Sequence, residues 1–200
     1  MKLKQFFIAF VAMVLCFSFT ASAQQLLVNC DYNSSTEGYG ATKFSNYSGA
    51  YAYATANGKT SATIVIEKTN TISGNCFDNN HKNYSKLAVV IKDGATMGNA
   101  ASKWDMTYPV TVEPGGTLTC ARSKTASVSN IHIKNKLIVG AKGATKKAYV
   151  NFLSDEYQDC DISIRYNGSI EVYNAKFEVQ DLDAQGKLTI EDSNVKVDGA

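Results

Sequence analysis

Four carboxylates crowd into the stretch SDEYQDCD, namely Asp155, Glu156, Asp159 and Asp161, with Arg165 shortly after them. Oxygen ligands in that number suit Ca2+. The stretch lacks the glycine-containing cadence of a dedicated calcium loop, and acidic loops are ordinarily solvated surface. Ca2+ is therefore the one cofactor the sequence raises, and no metal-ligating residue is assigned. Glycoside hydrolysis would need two carboxyl groups roughly 5 to 9 Å apart on one face. Strand alternation turns Glu171, Glu178 and Glu191 outward, but any sheet surface offers such glutamates.

The two histidines add no site. His81 lies in the polar stretch DNNHKNYS, and His132 is a strand surface residue. No GxSxG elbow, HExxH pair or phosphate-binding glycine loop occurs. No catalytic or cofactor-binding residue is assigned. Tyrosine is the compositional outlier, with eleven in the chain, among them Tyr32, Tyr39, Tyr47, Tyr51 and Tyr53 near the start. Such rings suit sugar or protein contacts, although the spacing of Tyr47 and Tyr51 already fits packing of a helix.

These residues must be positioned by something, and the chain carries a recurring pattern. Apolar alternation, a turn-forming residue, then a second alternation appears as TIVIEKTNTISG, LAVVIKDGATM, VTVEPGGTLTC, IHIKNKLIVG, ISIRYNGSIEV and LDAQGKLTIED. Aligned on the second position after the corner, the series runs Ile72, Thr96, Leu118, Leu137, Ile170 and Leu188, in steps of 24, 22, 19, 33 and 18 residues. The longest step contains KKAYVNFLSDEYQDCD, which reads as an inserted loop or strand pair. A unit that returns to the same corner is the mark of a stacked architecture. At about 3.3 Å per strand residue, a lap near twenty residues holds three short strands and three corners.

The expected fold is thus all-β, a parallel β-helix. Gly, or Asn at Asn70 and Asn135, would supply the positive φ of the corner. Alternation sends Val110, Val112, Leu118, Cys120, Ile131, Ile133, Leu137, Val139, Ile162, Ile164, Ile170, Val172, Leu188 and Ile190 inward. Upstream, Phe44, Tyr47, Ala50, Tyr51 and Ala54 share one helical face, so a short amphipathic helix is expected to cap the open N-terminal end.

The first residues read as a secretory leader, not as fold. Lys2 and Lys4 precede an apolar stretch from Phe6 to Phe19, which ends in Ala21-Ser22-Ala23, a cleavage pattern. The stretch is short of the ~20 residues that span a bilayer. Expected boundaries are 1–23 leader with Cys16, 24–62 N-terminal segment and capping helix, and 63–200 coils. The chain stops at VKVDGA in mid-lap, so it is expected to be a piece of a longer protein.

Without residues 1–23 the basic count falls from 20 to 18, against 18 acidic residues. Formal neutrality gives no electrostatic case for nucleic acid, and no membrane span is expected in the mature chain. Cys30, Cys76, Cys120 and Cys160 remain, in a compartment that tolerates disulfides. None lies in a CxxC or beside a histidine at ligand spacing, and four cysteines allow three pairings. Two disulfides or small buried fillers are expected.

The aromatic, alanine-rich helix, the loop Asn57-Gly58-Lys59-Thr60, the TIVI strand, "TISGN" and repeats such as VTVEPGGTLTC together resemble the pectin-lyase-like family of right-handed β-helices. More narrowly, they resemble secreted surface repeats of Bacteroidetes-type bacteria, whose leaders end in Ala followed by Gln, as Ala23-Gln24 does. The resemblance covers roughly residues 40 to 200 and specifies fold better than function. It implies a secreted, cell-surface or periplasmic protein with adhesion, glycan-binding or scaffold function, whose partner is a polysaccharide or a host or cell-surface protein. The enzymatic alternative is a polysaccharide lyase or glycosidase, or the N-terminal part of one.

Overall fold

The computed structural model describes residues 24–32, 42–56, 62–68, 70–72, 87–99, 103–120, 129–153 and 160–198. The leader with Cys16, the loop 57–60, and Tyr39, Cys76, His81, Asp155, Glu156 and Asp159 lie outside them. The described chain is all-β with one helix, and its strands form three parallel sheets.

The first sheet holds β1 (Gln24–Val28), β2 (Lys43–Phe44), β3 (Ala62–Ile66), β5 (Leu87–Ile91), β8 (Val110–Val112), β11 (Lys136–Gly140), β14 (Ser169–Tyr173) and β17 (Lys187–Glu191). The second holds β4 (Asn70–Ile72), β6 (Thr96–Asn99), β9 (Thr117–Cys120), β12 (Ala148–Phe152), β15 (Ala175–Val179) and β18 (Asn194–Val197). β7 (Lys103–Met106), β10 (Ser129–Ile133), β13 (Cys160–Ile164) and β16 (Asp181–Ala184) make the third. From β5 onward the chain visits first, second and third sheet in strict rotation. Parallel strands cannot be joined by tight hairpins, so Asp93-Gly94 and Asn167-Gly168 are corners between sheets and not hairpin turns.

Register explains the apolar alternation. In the first sheet Leu26, Ile64, Val89, Val110, Leu137, Ile170 and Leu188 stand strand upon strand. Beside them run Val28, Ile66, Ile91, Val112, Val139, Val172 and Ile190. Stiff β-branched side chains dominate both files, and such residues pack well on a pleated surface. In the second sheet the matching file is Met97, Leu118, Val150, Phe177 and Val195. All of these are buried except at the last strands, where Leu188 is half-buried and Ile190, expected inside, is 44% exposed.

Two sequence expectations change. The six aligned corners are of two kinds: three lead from the first sheet to the second, and three lead from the third back to the first. Leu118 therefore stands in the second sheet, apart from the file of Leu137, Ile170 and Leu188. The step of 33 joins two neighbouring strands of the first sheet, since Leu137 pairs with Ile170. The supposed insertion contributes β12, a regular strand between β9 and β15. β1, which falls in the segment 24–62, pairs along its whole length with β3.

The two kinds of corner need glycine for different reasons. Where the first sheet leads to the second, a residue takes positive φ: Gly94 at 76°, Gly115 at 87°, and then Asn174 and Asp192 in place of glycine. Where the third sheet leads to the first, Gly168 is needed for close approach, because a Cβ there would lie 1.9 Å from the Ile133 carbonyl oxygen. Asn135 does not take the expected positive φ; its side-chain amide donates to the Thr107 carbonyl at 2.9 Å, joining the residues that follow β10 and β7.

The helix α1 (Tyr47–Ala56) begins after Phe44, the first residue of the expected helical face. The Asn46 side chain caps it by accepting from the Gly49 N–H at 2.7 Å. Tyr47, Ala50, Tyr51 and Ala54 are all buried against the sheets, and Phe44 joins them from β2 and not from the helix. The Tyr47 and Tyr108 hydroxyls hydrogen-bond at 2.8 Å inside the core. No helix among the described residues is long and apolar enough to cross a membrane.

Candidate functional site

The third sheet positions the most unusual polar group. Parallel register sets Asp105, His132, Ser163 and Asp183 side by side, one from each strand, on the face away from Ile131, Ile133, Ile162 and Ile164. Asp105 is nonetheless only 1% exposed, the one buried charged residue among those described. Its Oδ1 accepts from His132 Nδ1 at 2.9 Å and holds Lys134 Nζ at 2.9 Å. A buried carboxylate must be paired in this way, since desolvation without partners is costly.

On the other side of the ring, Arg165 Nη2 lies 2.9 Å from His132 Nε2. A guanidinium can only donate. His132 Nε2 is therefore the acceptor, and the proton of this neutral imidazole sits on Nδ1, facing Asp105. The relay Asp105–His132–Arg165 fixes the guanidinium at the corner between β13 and β14. Next in the chain is Tyr166, 84% exposed, the most exposed large hydrophobic residue described. Among the described residues no carboxylate forms an ion pair with Arg165, which is half-buried. A fixed guanidinium, a lysine and a projecting phenol ring can together hold a planar anionic group and stack on an apolar ring face.

Ser163 stands next to His132, yet the arrangement is not that of an activated nucleophile. The imidazole nitrogen that would take the hydroxyl proton is occupied by Arg165. A groove of 210 Å³ on the outer face of the first sheet is a weaker candidate. Its floor is Leu27, Val65 and Val90, and its volume is below the roughly 300 Å³ at which small-molecule sites begin. Its rim charges are matched within the protein, with Lys92 on Glu113 at 2.8 Å and the Tyr32 hydroxyl on Glu67 at 2.6 Å.

The residues singled out in the sequence are not brought together. Asp161 is half-buried on β13, paired in register with Asn130 and Asp181, and no group of three metal-ligating side chains occurs among the described residues. Glu171 and Glu191 stand on the first sheet and Glu178 on the second, each on its own lysine: Lys136 at 2.8 Å, Lys142 at 2.6 Å and Lys176 at 2.9 Å. Glu178 also accepts from the Tyr149 hydroxyl at 2.5 Å. That bond and Lys176 hold the Glu178 carboxyl below its ordinary range, while burial and the Glu178 contact push the Tyr149 phenol up. Cys30 is a free, exposed thiol, neither bridged nor buried.

Asp105 and Tyr166 escaped the sequence reading. Alternation alone turns both Asp105 and His132 outward, but their meeting depends on register across 27 residues. Comparison with protein-family models, with curated proteins and with solved structures found no match.

Proposed function

We propose that the three parallel sheets are the sides of one right-handed parallel β-helix of the pectin-lyase-like kind, capped by α1, and that the protein is a secreted or cell-surface scaffold. It binds acidic polysaccharide, without catalysis, at the corner formed by His132, Lys134, Arg165 and Tyr166. The coil is supported by the strict rotation among sheets and by the unbroken aliphatic files. The binding role rests on one observation: a guanidinium held by a neutral imidazole beside a fully projecting tyrosine. Because the chain from Gln24 onward is formally neutral, this cluster is a local feature and not a sign of general basicity. The test is retention on a panel of immobilised acidic and neutral polysaccharides. Salt-sensitive retention on uronate polymers alone is expected; equal retention on neutral polymers, or none on any, would overturn the reading.

The same relay favours one second reading, a lyase. A substrate carboxylate that captured Arg165 would release His132 Nε2. The freed nitrogen could take the proton from the carbon beside that carboxyl while the neighbouring glycosidic C–O bond breaks, the C–H electron pair becoming the C=C bond of the unsaturated sugar and the departing oxygen taking a proton from water. A rise in unsaturated-product absorbance that disappears in His132→Ala would establish it in place of the binding role.

A further inference from the structure

The contact between His132 and Arg165 can exist only while His132 is neutral. Nε2 lies 2.9 Å from Arg165 Nη2, and a guanidinium only donates. A proton on that nitrogen sets two donors and two positive charges against each other, and the contact opens. Asp105 keeps its hold on the ring, because its Oδ1 accepts from Nδ1 in both charge states. Protonation therefore releases the guanidinium and leaves the imidazolium in place.

An anion acts on the same contact from the other side. When Arg165 turns its donors to a carboxylate it withdraws from Nε2, and the negative charge arriving there favours a proton on that nitrogen. The Nε2–H and the guanidinium are then two charged donors that a single carboxylate can bridge. Resting on the binding role proposed above, we infer that uronate binding and protonation of His132 are coupled at this corner, so that acidic polysaccharide is held more tightly as pH falls. The coupling is reciprocal: what the proton does for the anion, the anion does for the proton.

Other charges surround the ring. β7 brings the buried Asp105, with Lys103 two residues earlier on the same strand. β13 brings Arg165 and, in register with Asn130, Asp161. Lys134, on β10 itself, lies on Asp105 at 2.9 Å. Asp183 on β16 stands beyond Ser163 in the row of His132. Carboxylates favour the imidazolium and cations oppose it. An incoming uronate adds to the first group and draws Arg165 out of the second.

The test is calorimetric titration of a uronate oligosaccharide into the full chain, expressed with its own leader and purified, at about pH 5.5 and pH 8, either side of the range in which histidine ordinarily changes charge. The ligand stays ionised at both, since carboxyl groups ordinarily titrate near 4. Affinity should be about tenfold higher in acid, within the range of coupled sites. Near neutral pH, two buffers of different ionisation enthalpy should reveal net proton uptake on binding. His132→Gln can place an amide where Nε2 stood but takes no proton, so it should lose both effects; this comparison also removes any share of His81. In the chain alone at pH 8, nitrogen NMR should find the ring proton on Nδ1, and a proton on Nε2 would overturn the inference at its first step. Equal affinity at both pH values without proton uptake would overturn the coupling and leave the binding role standing. Proton uptake that persists in His132→Gln would overturn it too. Failure to bind at any pH would instead remove the binding role, and the coupling with it.

Discussion

Asp105 Oδ1 and His132 Nδ1 lie 2.9 Å apart although 27 residues separate them in the chain. The contact exists because β7 and β10 are neighbours in register, and it makes a buried carboxylate the anchor of the whole polar corner. Asp105→Asn keeps the shape but removes the charge that holds Lys134 and His132. It should cost about 2 kcal/mol, the scale of a charge-assisted hydrogen bond, read as a lower urea midpoint with unchanged slope.

The two kinds of corner predict two sizes of glycine effect. At Gly94 the φ is 76° but a Cβ would meet nothing within 4 Å, so Gly94→Ala should cost only the left-handed strain of about 1–2 kcal/mol. At Gly168 a Cβ would strike the Ile133 carbonyl, and the rigid backbone cannot yield. Urea denaturation should find Gly168→Ala the more damaging; equal costs would mean the neighbouring strands approach less closely than described.

Position within a file should set the cost of a cavity. Leu137 is fully buried between Val110 and Ile170, while Leu188 is half-buried at the last strand of the sheet. Leu137→Ala is expected to cost about 3–4 kcal/mol and Leu188→Ala well under half of that, again by urea titration.

The pH dependence follows from Tyr149 and Glu178. The Glu178 carboxyl is depressed in the fold, so its contribution is present above the ordinary carboxylate value and is lost as pH falls through the lower folded value. The Tyr149 phenol is raised, so its contribution is present below its ordinary value, about 10, and is lost as pH rises through the higher folded one. Stability should therefore fall on both flanks, and Glu178→Gln should flatten the acid flank. An acid flank as steep in Glu178→Gln as in the parent would contradict the assignment.

Much of the architecture was legible because strand alternation and recurring corners are local signals. Ile131, Ile133, Ile162 and Ile164 are buried as alternation requires, and the face Tyr47, Ala50, Tyr51 and Ala54 is buried as helical spacing requires. What local signals could not supply was phase. Corners of two kinds look alike in sequence, because a glycine needed for positive φ and one needed for close approach are the same residue type. Register was therefore misread at Leu118 and at β12, and the meeting of Asp105, His132 and Arg165 went unseen.

The proposed binding corner is tested most directly by calorimetric titration of a uronate oligosaccharide into the parent, Tyr166→Ala, Arg165→Ala and His132→Ala chains. Arg165→Ala should weaken binding at least tenfold, a loss of about 1.4 kcal/mol or more. Tyr166→Ala should weaken it severalfold, and His132→Ala should fall between them because it releases the guanidinium without removing it. Binding that is unchanged in Arg165→Ala and Tyr166→Ala would contradict the account.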